Sequence, residues 1–175
     1  MSRLVVLHDP QGRLDPACRW ERIRRVWPAA PARAGPAGSL LLAVAGESGW
    51  HWGEGLRLDF RGEPLPAVAG EPADGSLQLG LEIFRRPERG LVCRRGHLAQ
   101  TGFFYRLEGG CLYAASRLRD LLRMTPELPL DVDEEQVARL LHLCSPDPRR
   151  TFYRGIHRLE AGARLEAEAS GCRVL

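Results

Sequence analysis

Apolar positions come in short runs and alternations along most of this chain, and keep a helical repeat in only a few stretches. Residues 3–8 (Arg-Leu-Val-Val-Leu-His), with the apolar run Leu4-Val5-Val6-Leu7 and the turn cluster Asp9-Pro10-Gln11-Gly12 behind it, predict a first strand. Asp15-Pro16 reads as an N-cap followed by proline at the first helical position. The helix is expected to run to about Trp27, with Trp20, Ile23 and Trp27 on its packed face. Residues 28–38 are rich in Pro, Ala and Gly and read as a connection within one domain, because the segment before them is too short for a core of its own. Residues 39–46 predict a buried strand and residues 56–60 a half-buried one, with Trp50-His51-Trp52 between them as packing or hairpin residues. Residues 61–75 read as a loop, and residues 77–86 and 90–94 as a hairpin turning at Pro87-Glu88-Arg89.

The remaining elements are organised around residues 90–124. Leu91, Val92 and Cys93 make one short strand, Phe103, Phe104, Tyr105 and Leu107 a second, and Leu112 and Tyr113 a third after the turn Glu108-Gly109-Gly110. Leu118, Leu121 and Leu122 recur at helical spacing behind Ser116, the expected N-cap. The whole stretch predicts a β-meander followed by a helix. Asp133 with Gln136 has the form of a capping box for a helix ending near Leu143, which Ser145-Pro146-Asp147-Pro148 would stop. Residues 156–159 and 163–167 are expected to form a final hairpin.

The length of 175 residues fits one domain spanning residues 1–175, and a composition 44% hydrophobic and 27% charged is that of an ordinary globular protein. The net charge of +3 is too mild to imply a nucleic-acid partner, and none is expected. All 25 basic residues are Arg, a bias that needs no functional cause; the pairs Arg85-Arg86, Arg94-Arg95 and Arg149-Arg150 read as solvated surface. Five scattered cysteines without a Cys-x-x-Cys spacing argue against a disulfide framework and against a zinc site. The spacings His142/Cys144 and Cys93/His97 would need further ligands to hold a metal, so no metal is expected. The longest apolar run, residues 40–45, is strand-sized, so no membrane association is expected; with no secretory signal in view, the expected location is the cytoplasm.

Several motifs in order carry a family resemblance. Arg95-Gly96-His97-Leu98-Ala99-Gln100-Thr101-Gly102-Phe103-Phe104-Tyr105, then Glu108-Gly109-Gly110, then Ala115-Ser116-Arg117-Leu118-Arg119-Asp120-Leu121-Leu122 resemble the signature Arg-Asp-(His/Arg)-Leu-Gly-x-x-Pro-Leu-Tyr-Tyr, Asp-Gly-Gly and Ser-Glu-hydrophobic-Lys-Ala-Leu. That signature belongs to the N-terminal glutaminase domain of the asparagine synthetase B family, a class II glutamine amidotransferase of the Ntn-hydrolase type. Residues 130–141 resemble the family's Leu-Asp-x-Glu helix, and residues 151–162 its Thr-x-Phe-x-Gly-Ile-x-(Arg/Lys)-Leu-Pro-Pro-Gly turn. The likeness covers residues 76–175 and is loosest over residues 76–86. It implies an α+β fold: an Ntn-hydrolase-like αββα sandwich of antiparallel sheets flanked by helices.

The resemblance also shows what is missing. Active relatives attack glutamine with an N-terminal Cys exposed by Met removal, whose own amine is the base; here the position is Ser2, followed by Arg3-Leu4-Val5-Val6 in place of Gly-Ile-x-Gly. The family's oxyanion hole uses an Asn-Gly pair, and this sequence has no Asn. The Asp that holds the substrate's amino group falls on Gly96. Ser2, Arg95, Gly96 and His97 are therefore the candidate remnants of a degenerate pocket, with no catalytic residue expected among them and His97 read as structural. The family's ATP-pyrophosphate loop, Ser-Gly-Gly-x-Asp-Ser, is absent; ATP and Mg would belong to a synthetase domain or subunit outside this chain, the expected partner together with a precursor peptide. The reading carried forward is a catalytically inactive glutaminase-like domain of an ATP-dependent carbon–nitrogen ligase, of the lasso peptide cyclase (macrolactam synthetase) kind, acting as scaffold. Its rivals are a β-lactam synthetase-like parent, an active N-terminal-Ser amidohydrolase, and a regulatory interaction module.

Overall fold

A computed structural model describes residues 3–28, 40–46, 49–51, 55–58, 64–65, 80–85, 90–168 and 171–175. The elements are β1 (Arg3–His8), α1 (Pro16–Val26), β2 (Leu40–Gly46), β3 (Gly49–His51), β4 (Gly55–Leu58), β5 (Pro64–Leu65), β6 (Leu81–Arg85), β7 (Leu91–Arg95), β8 (Phe104–Glu108), β9 (Cys111–Ala115), α2 (Leu118–Met124), α3 (Glu134–Leu141), β10 (His157–Arg158), β11 (Arg164–Glu168) and β12 (Gly171–Val174). The strands form two six-stranded sheets, β10-β8-β9-β1-β2-β3 and β12-β11-β7-β6-β4-β5, with every pair antiparallel. This is the α+β sandwich of antiparallel sheets expected for an Ntn-type domain. Among the described residues no helix is long and apolar enough to cross a membrane.

The side-chain period of two explains the uninterrupted apolar run of β1. Leu4 and Val6 point into the layer between the sheets, where they meet Leu81, Ile83, Leu91, Cys93, Phe103, Leu112, Ala114 and Leu165. Val5 and Leu7 point the other way, into a second core closed by Ile23, Val26 and Trp27 of the first helical region and by Leu121 and Met124 of α2. A central strand covered on both faces has no need of polar alternation. The α1 expectations hold: Asp15 caps it by accepting from Ala17 N at 2.6 Å, Pro16 starts it, and Ile23 and Trp27 are buried with Trp20 partly so.

Three expectations give way. Ser116 is not the cap of α2; Arg117 takes that position, with no side-chain capping bond. Ser116 instead adds one rung to the β1–β9 ladder. Its N–H donates to Leu4 O at 2.9 Å and its Oγ accepts from Leu4 N at 2.9 Å, just beyond the last backbone pair, Val5 with Ala115. The meander is also split. β7 lies in the second sheet between β6 and β11, so neither edge is left for β8, and the chain crosses to the first sheet before β8 begins. The expected final hairpin is split in the same way. β10 pairs with β8 in the first sheet, β11 with β7 in the second, and the true last hairpin is β11–β12. Apolar alternation gives each strand its faces but carries no label for which sheet receives them.

Smaller differences follow from local chemistry. Pro64–Leu65 forms β5 inside the stretch read as loop, on a sheet edge, where a proline's missing N–H costs no ladder bond. Gly49–His51 is a strand; Trp52, the turn residues 87–89 and the greater part of residues 28–38 and 61–75 lie outside the described residues. α3 starts as expected, with Asp133 accepting from Gln136 N at 3.3 Å, but Gln136 turns its Oε1 to Asp147 N at 2.9 Å instead of closing the capping box. The helix ends two residues early in a Schellman turn, Cys144 N to Arg139 O at 2.9 Å and Leu143 N to Leu140 O at 3.1 Å, with Leu143 at φ 57° where glycine is usual.

The turn between β1 and α1 is held by Asp9, fully buried, which accepts from Arg13 N at 2.9 Å and Leu14 N at 2.8 Å. Burial works to raise its pKa, but the Leu14 and Arg13 amides and the Arg19 charge outweigh it and hold the carboxyl below its ordinary 3.8. The ionised form is therefore the one the fold stabilises, and that contribution is present above pH 3.8 and lost as pH falls through the lower folded value. Asp9→Asn is expected to lower stability at neutral pH, and its deficit against the wild type to shrink as urea midpoints are followed from pH 6 to below pH 3.8. Ser116→Ala leaves the Leu4 amide without its acceptor and should cost about 1–3 kcal/mol; hydrogen exchange should show protection lost at Leu4 while the α2 amides keep theirs.

Candidate functional site

Three of the four candidate residues, Arg95, Gly96 and His97, sit where β7 ends and the chain crosses from the second sheet to the first. Ser2 lies outside the described residues. The crossing is held by the Arg95 guanidinium. Its Nε donates to Thr101 O at 3.0 Å, Nη2 to Ala99 O at 3.1 Å and Nη1 to Leu159 O at 2.8 Å. Its backbone is engaged as well: Arg95 N donates to Ala163 O at 3.0 Å, and its carbonyl accepts from Gly162 N at 2.8 Å. Residues 96–103 and 159–163 are two of the passages between the sheets, and Arg95 bonds to both.

The neighbours are equally committed. Gly96 is buried, and its N–H donates to Gly80 O at 2.7 Å. With no side chain it offers no carboxylate. His97 is exposed and its ring lies against Gly162, where an added Cβ would fall 2.3 Å from Cε1. Glycine at 162 thus serves both the positive φ of 81° and the seat of the imidazole. Burial first, then the charge of Arg158, push the Arg95 pKa down, yet an arginine stays charged under such a shift.

The crossing also touches the start of the chain. A Cβ on Gly102 would lie 3.0 Å from Ser116 O, and Ser116 is the residue bonded to Leu4. Beside this contact Arg3 reaches across to α2. Its Nε donates to Asp120 Oδ2 at 2.9 Å and its Nη2 pairs with Oδ1 of the same carboxylate, while the guanidinium lies 5.4 Å from the Trp27 ring centroid. Asp120 is 1% exposed, so the pair fixes the first described residue of β1. Sequence reasoning did not single out Arg3 or Asp120; nothing local marks a pair 117 residues apart. Thr101 was likewise missed: its hydroxyl is buried without a hydrogen-bond partner among the described residues.

The α+β arrangement of two antiparallel sheets agrees with the comparison to known families. Residues 78–174 match the glutamine amidotransferase domain. The chain belongs to that family. No curated protein matches it. In this glutamine amidotransferase domain the three described candidates all make contacts within the chain: Arg95 binds carbonyls, Gly96 an opposing carbonyl, and His97 packs on a glycine. Among the described residues no group of three His, Cys, Asp or Glu side chains is placed to hold a metal ion.

Arg95→Ala removes the donor to three carbonyls in two passages and is expected to lower stability by about 2–4 kcal/mol in urea unfolding. Arg95→Lys should recover little of it, since one ammonium does not span the three acceptors. His97→Ala, an exposed change, should stay within about 0.5 kcal/mol of the wild type.

Proposed function

We propose that this glutamine amidotransferase domain no longer hydrolyses glutamine and serves as the scaffold of an ATP-dependent amide-forming ligase, of the lasso peptide cyclase kind. The observation that carries the first half is the state of Arg95. A guanidinium that gathers Ala99, Thr101 and Leu159 carbonyls is engaged in holding the two crossings together, and the residue after it, Gly96, has no carboxylate for a substrate ammonium. The absence of Asn from the sequence removes the family's side-chain oxyanion donor as well.

A domain that has lost its amide-splitting groups and kept its sandwich fits a ligase that takes its nucleophile from the substrate. In such an enzyme the carboxylate is activated as an acyl-adenylate by a synthetase domain using ATP and Mg, and an amine of the same molecule attacks it. Ammonia from glutamine is then unnecessary. The amidotransferase domain contributes shape and a surface for the synthetase partner and the precursor peptide. The choice of a peptide cyclase over a β-lactam-forming relative rests on the family resemblance.

Ammonia release from glutamine by the purified chain is expected to equal the background, and Ser2→Ala to leave it unchanged. Hydrolysis that depends on Ser2 would overturn the inactive reading and favour an N-terminal-serine amidohydrolase. Combined with its cognate synthetase domain, ATP and a precursor peptide, the protein should yield a product lighter by one water in an intact-mass measurement; a peptide of unchanged mass counts against the cyclase reading.

A further inference from the structure

We propose that α3 is a clasped arm: it opens as one unit while the two sheets stay folded, and the Arg150 guanidinium holds it shut. The attachment of α3 does not depend on the ligase assignment.

An amphipathic helix ordinarily fastens to its domain by burying its apolar stripe. α3 does the reverse. Of its residues only Gln136 is buried; Val137 is half-buried, and Leu140 and Leu141 are 50% and 75% exposed. Neither apolar core includes a residue of α3. The hydrophobic effect therefore contributes little to holding it in place.

The fastening is polar and converges on one short segment, residues 147–150. Arg150 donates from Nε to Asp133 Oδ2 at 3.0 Å, from Nη2 to both Asp133 oxygens at 2.7 Å, and from Nη1 to Glu135 Oε2 at 2.7 Å. Gln136 Oε1 accepts from Asp147 N at 2.9 Å. Arg150 thus grips the cap and first turn of α3 from a segment that is itself anchored. Arg158 N donates to Arg149 O at 2.7 Å, and Arg150 forms a β-bridge with His157 of β10.

The base of the arm is anchored as well. Asp133 N donates to Phe152 O and Arg154 N to Asp131 O, each at 2.8 Å, around the bridge between Val132 and Tyr153. Tyr153 and Ile156 pack on the core between the first sheet and its helices. The neck formed by residues 131–133 and 152–154 therefore stays with the sheets when α3 leaves.

The far end of α3 has no comparable hold. Arg139 pairs with Glu135, one turn back in the same helix. The closing turn puts Leu143 at φ 57° and leaves it 96% exposed, so the residue bears the strain of a left-handed backbone without burying its side chain. A helix of eight residues does not persist alone in water, so α3 released by Arg150 melts as it departs. A segment with so little buried apolar surface opens at lower free energy than the sheets, and moving elements are drawn from that end of the stability range.

Hydrogen exchange of the full chain, followed amide by amide by NMR in sub-denaturing urea, tests the arm. Amides of residues 137–142 should share one rate, about tenfold or more above those of β1 and β9, and respond little to urea. Arg150→Ala should quicken these amides about tenfold or more and leave β1 and β9 unchanged. Arg150→Lys should behave much as Arg150→Ala, because one ammonium does not span two carboxylates. Leu143→Gly should slow the same amides about fivefold, a direction that damage to the fold would not give. The proposal is overturned if residues 137–142 share the rate and urea dependence of β1 and β9. It is equally overturned if Arg150→Ala quickens all of them alike, or if Leu143→Gly leaves residues 137–142 unchanged.

Discussion

A sandwich of two sheets made from one chain must carry that chain across the gap between them, and each passage exposes backbone carbonyls that no ladder satisfies. Here two passages, residues 96–103 and 159–163, run side by side, and Arg95 serves both. Its guanidinium collects Ala99, Thr101 and Leu159 carbonyls while its backbone bonds to Gly162 and Ala163. Buried polar groups left without partners cost about 1–3 kcal/mol each, so a single planar donor satisfying several is a strong constraint on how the sheets sit. The placement of β8 and β10 on one sheet and β7 and β11 on the other depends on it.

Arginine acts as the connector elsewhere too. Arg3 ties the start of β1 to α2 through Asp120. Arg22, on α1, lies 5.2 Å from the Tyr113 ring centroid, donates to Met124 O at 3.2 Å and pairs with Glu127, linking α1 to the sheet and to the end of α2. Arg106 reaches Pro129 O at 2.9 Å, and Arg150 bridges Asp133 and Glu135 at the start of α3 at 2.7 Å. Each of these joins segments distant in sequence through several donors at once, which a lysine would not do. A chain whose basic residues are all arginine thus uses a number of them as struts, a different role from the solvated surface first assigned to Arg95, while Arg149, exposed, keeps its surface place.

The same commitment bears on the family's chemistry. The resemblance would put the family's substrate region around the end of β7 and the start of β1. In this chain those residues are bound to one another: Arg95 to carbonyls, Gly96 to Gly80, His97 to Gly162, Arg3 to Asp120. These contacts tie the end of β7 to the crossings and the start of β1 to α2.

The local pattern by itself determined a good part of this protein. The run Leu4-Val5-Val6-Leu7, the Asp15-Pro16 start of α1, the Asp133 cap of α3 and the Glu108-Gly109-Gly110 turn between β8 and β9 were all legible, because side-chain period, capping and positive φ are properties of a few adjacent residues. The order of motifs along residues 76–175 was enough to indicate the family. What only the tertiary structure decided was partnership: which sheet takes each strand, that Ser116 extends a ladder in place of capping a helix, that Arg3 finds Asp120, and that Arg95 is occupied by its own backbone. Each of these depends on groups brought together from 100 or so residues away or across two sheets, and a hydrogen-bond donor carries no mark in the sequence of the distant acceptor that will satisfy it.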